Sequence, residues 1–310
     1  MTIKTAQESF INHCKFEKKL SNKTIQFYQI DLKQFNHFLK EGKYDLRVRK
    51  IDKNVLRDYL RCISDFQPRT IKRKVATLKA LFNYLEFEDI LPVNPFRKLQ
   101  IKIKSPRTLP TLMNTQEVKT IFFKAYSERD QLHPKDVNHR VKVRDIAVLE
   151  LLFATGMRVS ELCNLLKENV NLDTGIISIY GKGKKQRLIQ VCNLEARESL
   201  LQYKTLFWSQ IERSNYFFIN RLGRRLSEQS VRYMVRRYVK LASIQKNVTP
   251  HTFRHTFATL LLEEDVDIKY IQHFLGHSSI ATTQIYTHVN SAKQKQILST
   301  KHPRNNFEFG

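Results

Sequence analysis

Apolar residues recur every three or four positions through much of the first hundred residues. Ile25, Tyr28, Leu32, Phe35 and Leu39 follow Ser21 and Asn22, two residues suited to capping. Val55, Leu56, Tyr59, Leu60 and Ile63 repeat the spacing behind Asp52, and Ile71, Val75, Leu78, Phe82 and Leu85 repeat it again. That period predicts amphipathic helices packed as a small bundle. The face opposite the last stripe carries Lys72, Arg73 and Lys74, with Lys79 nearby, and predicts one strongly basic surface. The helix is expected to end near Ile90, where LPVNPF supplies two prolines. Residues 99–112, LQIKIKSPRTLPTL, add two more prolines and three basic residues with no acid. They read as an extended linker, an edge strand being the alternative.

Past the linker a helix is expected from Thr115 and an apolar one over about 144–154. The polar stretch between them, about 127–143, has no clear period and reads as a surface loop. The period then changes. IISIY (176–180) and RLIQV (187–191) alternate like strands, and the basic, glycine-containing run 181–186 joins them as a hairpin tip. Helical spacing resumes after about 195. Within 221–240, RLGRRLSEQSVRYMVRRYVK holds seven basic residues and one acid, Glu228, with Ser227 placed as a cap. The expected fold is mainly α in two domains: a small helical bundle (1–98), a linker (99–112), and a mixed α+β, mostly helical domain with a small β-sheet (113–300). Residues 301–310 are left as a tail.

Charge narrows the function. The chain has 54 Lys and Arg against 29 Asp and Glu, a formal net charge of +25, more than solubility asks of small domains. Residues 1–110 carry 24 basic and 11 acidic side chains and the remainder 30 and 18, so no basic arm accounts for the excess. Both halves are expected to face one polyanion. Cys14, Cys62, Cys163 and Cys192 show no paired spacing and read as reduced, mostly buried thiols. No apolar run reaches the ~18 residues of a membrane span. MTIKTAQESF lacks the apolar core of a secretory signal. A cytoplasmic location follows as the expectation.

Four segments carry candidate chemistry: ATGMRVSEL (154–162), YGKGKKQR (180–187), TPHTFRHTFAT (249–259) and LGHSSIATTQIYTH (275–288). Singly, each has an ordinary structural explanation. An arginine near a helix start usually makes an ion pair, and Glu161 stands three residues from Arg158; a hairpin lysine is usually solvated; a tyrosine such as Tyr286 is usually half-buried packing. Jointly they do not. Arg158, Lys182, the His251-Thr252-Phe253-Arg254 box, Gly276-His277 and Tyr286 nine residues beyond His277 stand in the order and spacing of the tyrosine recombinase (phage integrase) family. The chain resembles its bacterial Xer-type members over nearly the whole length, from the bundle ending in NPF to HPRN near residue 302.

The resemblance implies a SAM-like core-binding bundle followed by a catalytic domain. It also implies a site-specific recombinase that cuts duplex DNA through a 3′-phosphotyrosyl intermediate. Tyr286 would be the nucleophile, Arg158 and Arg254 the ligands of the phosphate, Lys182 the acid for the leaving 5′ oxygen, His251 the partner of the tyrosine proton, and His277 a donor to the phosphate. The chemistry agrees. A tyrosine hydroxyl can store the bond energy covalently, and two planar, permanent guanidiniums suit the charge that builds on non-bridging oxygens. Glu161 is expected to steady the helix of Arg158 or an adjacent histidine and not to react.

No metal, nucleotide or other cofactor is expected. The partners implied are double-stranded DNA sites and further copies of the chain, four on two sites, with an accessory or sister recombinase admitted. Most affinity is expected from phosphates, with Lys72, Arg73, Lys74, Arg224 and Arg225 as contacts, and it should fall steeply with salt. The last segment, 291–310, is expected to dock on a neighbouring copy. The length of the 127–143 loop and the high charge favour an integrase of a mobile element over a resolver of chromosome dimers. Three rivals remain. One is a helical DNA-binding regulator without catalysis; another is a type IB topoisomerase-like relaxing enzyme. The third is a zinc hydrolase built on the i, i+4 pairs His251/His255 and His273/His277, which lacks the glutamate such a site wants at Thr252.

Overall fold

A computed structural model describes residues 1–104, 111–180, 186–276 and 291–306, without the side chains of 291–294 and 306. The chain divides into two compact units, Met1–Thr108 and Leu109–Gly310. Among the described residues no helix is long and apolar enough to cross a membrane.

The first unit is a bundle of α1 (Ile3–Phe16), α2 (Asn22–Glu41), α3 (Lys53–Cys62) and α4 (Pro68–Phe87). Ser21 caps α2 by accepting the Thr24 amide, and Asp52 caps α3 by accepting those of Asn54 and Val55. Each satisfies amides a helix start leaves unpaired. The predicted stripes are the core: Leu32, Phe35 and Leu39 of α2 meet Leu56 and Tyr59 of α3 and Leu78, Phe82 and Leu85 of α4. Ile3, Ala6, Phe10 and Cys14 of α1 complete it, a helix the periodicity reading did not single out.

One expectation about this unit is corrected. Lys74 is not on the basic face but inside the bundle, 2% exposed. Its ammonium bonds Gln34 and lies 3.8 Å from Asp31, a fully buried carboxylate that also takes the Arg73 guanidinium at 2.5 Å and the Thr77 hydroxyl at 2.9 Å. A charge so buried needs a partner more than a solvent face, and Asp31 on α2 supplies it. Lys72 is exposed and Arg73 partly so.

The second unit is built around α6 (Val137–Thr155), flanked by α5 (Thr115–Asp130), α8 (Leu194–Leu206) and α11 (Pro250–Glu263). Every residue of α6 from Lys142 to Thr155 is buried, the mark of a helix at the centre of a core. Its start lies inside the stretch expected to be a loop. α5 runs to Asp130 and α6 begins at Val137, so only six residues join them; most of the loop expected at 127–143 is helix, and its length no longer favours a mobile-element integrase. The apolar period was hidden because Lys142 is buried against Glu128 across the turn, while Asp136 caps α6 on the Asn138 amide.

A three-stranded antiparallel sheet follows, β1 (Val170–Asn171), β2 (Ile176–Tyr180) and β3 (Gln186–Gln190), in that order. Ile177 opposes Ile189 and Ile179 opposes Arg187, and these four form the inward face. The hairpin tip at 181–185 lies outside the described residues. Beyond α8 come α9 (Trp208–Glu212), α10 (Glu228–Leu241, capped by Ser227), α12 (Ile268–Leu275) and α13 (Ser291–Thr300).

The described part of the C-terminal segment packs into the second unit, and residues 307–310 lie outside the described residues. Ile297 and Leu298 of α13 join the same core. His302 reaches the Ala154 carbonyl (3.2 Å), and Arg304, wholly buried, pairs with Glu150 of α6. Among the cysteines, all free, Cys14 and Cys163 are buried as expected, Cys192 is half-buried and Cys62 is exposed. Residues 99–104 form neither helix nor strand.

Candidate active site

Three backbone turns place the charged groups. α6 ends on Gly156 in the left-handed conformation (φ 57°). A Cβ there would lie 2.5 Å from Phe257 and 2.8 Å from Leu275, so only glycine lets α6, α11 and α12 approach so closely. Two residues on, Arg158 is the residue preceding α7 (Val159–Cys163). α11 starts behind Thr249, whose hydroxyl caps Thr252, with Pro250 at its first position. His251 and Arg254, three residues apart, therefore share one face of its first turn. α12 ends on a second left-handed glycine, Gly276 (φ 62°).

At that second glycine the guanidiniums gather. Arg187 Nε donates to the Phe274 carbonyl (3.0 Å), Arg254 Nη2 to that of Leu275 (2.8 Å), and Arg158 Nη2 reaches that of Gly276 (3.4 Å). Three arginines from three parts of the chain thus rest on three successive carbonyls at a helix C-terminus, the end that attracts cations. Arg254 Nη1 also donates to Gly156 O (2.9 Å), linking both glycine turns. Arg254 is 4% exposed, whereas a third of the Arg158 side chain is open to solvent.

A single carboxylate sits among them. Glu161, almost fully buried, accepts the Arg158 amide (2.8 Å) and Nη1 (2.8 Å), and Arg187 Nη1 and Nη2 at 3.1 and 2.8 Å. Burial alone would raise its pKa; the bonds and charge of Arg187, then those of Arg158, bring it below the ordinary carboxylate range. Glu161 therefore steadies the start of α7, as expected, but its second partner is an arginine and not a histidine. Burial, and then the charge of Arg158, lowers Arg254 to about 10. His251 is exposed as a residue, yet its pKa is lowered, first by partial loss of solvent around it and then by Arg254, His255, Arg158 and Arg232. Both effects favour the uncharged imidazole. The three cations and one anion leave an excess positive charge with guanidinium N–H groups still open, an arrangement suited to an oxyanion such as a phosphodiester.

Of the six expected catalytic residues the structure brings together Arg158, His251 and Arg254; Lys182, His277 and Tyr286 lie outside the described residues. Residues 113–293 match the phage integrase family, and residues 8–89 match the phage integrase N-terminal SAM-like domain. The chain belongs to the phage integrase family. It is 45% identical to a tyrosine recombinase of Agathobacter rectalis, with 99% of each chain covered, and 35% identical to tyrosine recombinase XerC of Thermodesulfovibrio yellowstonii, with 95% of each covered. A lambda integrase in a tetramer bound to a Holliday junction shares the fold, with a TM-score of 0.69 at 18% identity over 91% of this chain and 76% of that one. This integrase is a site-specific tyrosine recombinase, an enzyme that breaks and rejoins DNA.

Arg187 was missed as a site residue although it stands within the YGKGKKQR segment. The signal was present: in QRLIQ the alternation that turns Ile189 inward turns Arg187 inward too, and an arginine on the core face of a strand must find a carboxylate. Among the expected DNA contacts of this recombinase, Arg224 and Arg225 are exposed on the turn before α10, with Arg225 bonded to Asn164 (2.6 Å) and lying over the Tyr216 ring. Among the described residues no three His, Cys, Asp or Glu gather to hold a metal.

Proposed function

We propose that Tyr286 attacks the scissile phosphodiester, forming a 3′-phosphotyrosyl bond and releasing the 5′ oxygen. The convergence of Arg158 and Arg254 on the turn leading directly into the His277–Tyr286 segment carries this reading. The phenolic proton passes to His251, where partial loss of solvent and cationic neighbours favour the neutral, accepting form. Lys182 protonates the leaving 5′ oxygen, and His277 donates to the phosphate. Religation is the reverse attack by a 5′-hydroxyl on the phosphotyrosine, so the bond energy is kept and no metal or nucleotide is needed. Residues 1–98 and 113–300 hold duplex DNA through the linker 99–112, with Lys72, Arg73, Arg224 and Arg225 among the phosphate contacts. Four protomers act on two sites and exchange strand pairs in turn; the lambda integrase tetramer on a Holliday junction supports that assembly for a chain of this fold.

The decisive experiment incubates the protein with a nicked recombination site and separates covalent adducts under denaturing conditions. The wild type is expected to accumulate a protein–DNA adduct in EDTA, and Tyr286→Phe to bind the site without forming one. An adduct with Tyr286→Phe, or cleavage abolished by EDTA, would refute the reading. A regulator without catalysis predicts no adduct from either protein, and a topoisomerase predicts relaxation without recombinant junctions.

A pH profile tests His251. Because its pKa lies below the ordinary 6.5, the neutral, accepting form persists as pH falls through 6.5, and cleavage is lost only on further acidification. Single-turnover cleavage should therefore show an acid limb below pH 6.5 that is absent in His251→Gln. A limb centred at or above 6.5, or one unchanged by the substitution, would assign the proton to another group.

A further inference from the structure

We propose that Arg187 is a positioning residue of the cleavage site, one that occupies the Glu161 carboxylate so that the Arg158 guanidinium stays available to the scissile phosphate. The inference rests on the reading of Arg158 as a phosphate ligand. Arg187 does not meet DNA itself: it is 9% exposed, on the inward face of β3 opposite Ile179, and its Nε, Nη1 and Nη2 all donate to protein oxygens.

Its effect follows from how Glu161 is shared. Oε2 takes the Arg158 amide and Arg187 Nη2, while Oε1 takes one nitrogen from each guanidinium. Arg158 therefore makes a single side-chain bond to this carboxylate and keeps a third of its side chain in solvent. Without Arg187, a buried anion would face one guanidinium alone. Two-point pairing is the strong geometry for such a pair, and it would turn Arg158 away from DNA and halve the site's excess positive charge from two to one. Arg187 also grips the Phe274 carbonyl, one residue before the Leu275 carbonyl that holds Arg254, so it fixes the turn on which the second phosphate arginine rests.

A role in folding alone predicts something different. A buried ion pair is seldom more stable than apolar residues of the same size, so β3 does not need an arginine for its strength. If Arg187 acts through Glu161, removing the carboxylate's charge should cancel the need for it.

The test measures single-turnover adduct formation on the nicked site at saturating protein, with the mobility-shift Kd and urea midpoint recorded for each variant. Arg187→Met is expected to slow cleavage about 10- to 100-fold, the cost seen when partners that orient metal ligands are removed and taken here for an oriented guanidinium, with little change in Kd. The double variant Glu161→Gln/Arg187→Met is expected to regain most of that loss, because a neutral amide does not compete for Arg158. Arg187→Lys, which keeps the charge and loses the fork, should fall between. Should Arg187→Met not fold, the lysine variant carries the test, and wild-type cleavage by it would overturn the proposal. So would wild-type cleavage by Arg187→Met, or a double variant no faster than the single one. Arg158→Ala is run beside them: if it cleaves normally, the reading of Arg158 falls; if it is inactive while Arg187→Met is unimpaired, only the role of Arg187 falls.

Discussion

Arg254→Lys is expected to cut the rate of adduct formation about 10²- to 10³-fold, the cost of losing one preorganised donor to a developing oxyanion. Two features make the substitution severe. The guanidinium reaches Gly156 O and Leu275 O at once with its two Nη atoms, and still has N–H groups left for a phosphate oxygen; an ammonium on a flexible stem cannot span both turns and the substrate. The environment also resists any proton there: burial and the charge of Arg158 bring even the arginine down to about 10. A lysine starts from a lower value and is shifted in the same direction, so part of the population would present a neutral amine. The check is the single-turnover rate on the nicked site. A variant within fivefold of wild type would show that the phosphate is held elsewhere.

Arg304→Met should be the most damaging change to stability. Arg304 and Glu150 are both fully buried, joined by Nε to both carboxylate oxygens (3.2 and 2.9 Å) and Nη2 to Oε1 (2.8 Å), while the Tyr126 hydroxyl donates to Oε1 (2.7 Å) and the guanidinium lies over the Phe122 ring. Removing one partner strands a carboxylate in the core, a loss of about 3–5 kcal/mol. Urea unfolding should show it as a lower midpoint. Glu150→Met/Arg304→Met should recover most of the loss, since the penalty belongs to the unpaired charge. A single-variant loss below about 1 kcal/mol would mean that the end of the chain contributes little to the core.

What was legible in the sequence was what is periodic. α2 and α3 follow from their apolar stripes and caps, α4 from its stripe, α10 from its Ser227 cap and basic face, and the hairpin from its strand-like runs, with β3 beginning one residue earlier than expected. The start of α6 was illegible because Lys142 is buried by pairing with Glu128 and not by being apolar. Lys74 misled for the same reason. Sequence spacing cannot show that Asp31 waits opposite it, that Glu161 meets Arg187 twenty-six positions later, or that Glu150 meets Arg304 at the far end of the chain. The candidate site was read from short boxes, and Arg158, His251 and Arg254 do gather. What the boxes could not convey is that the guanidiniums are held by main-chain oxygens, since carbonyls leave no trace in residue identity.

Those carbonyls carry a consequence for how this protein can change over time. Because residues 274, 275 and 276 each serve a different arginine, gaining or losing one residue within α12 would put every donor out of register together, and no compensating side chain could restore them singly. The turn of six residues between α5 and α6 has no such obligation. Length variation among descendants of this chain should therefore collect in that turn and spare α12, whatever happens to the side chains on either.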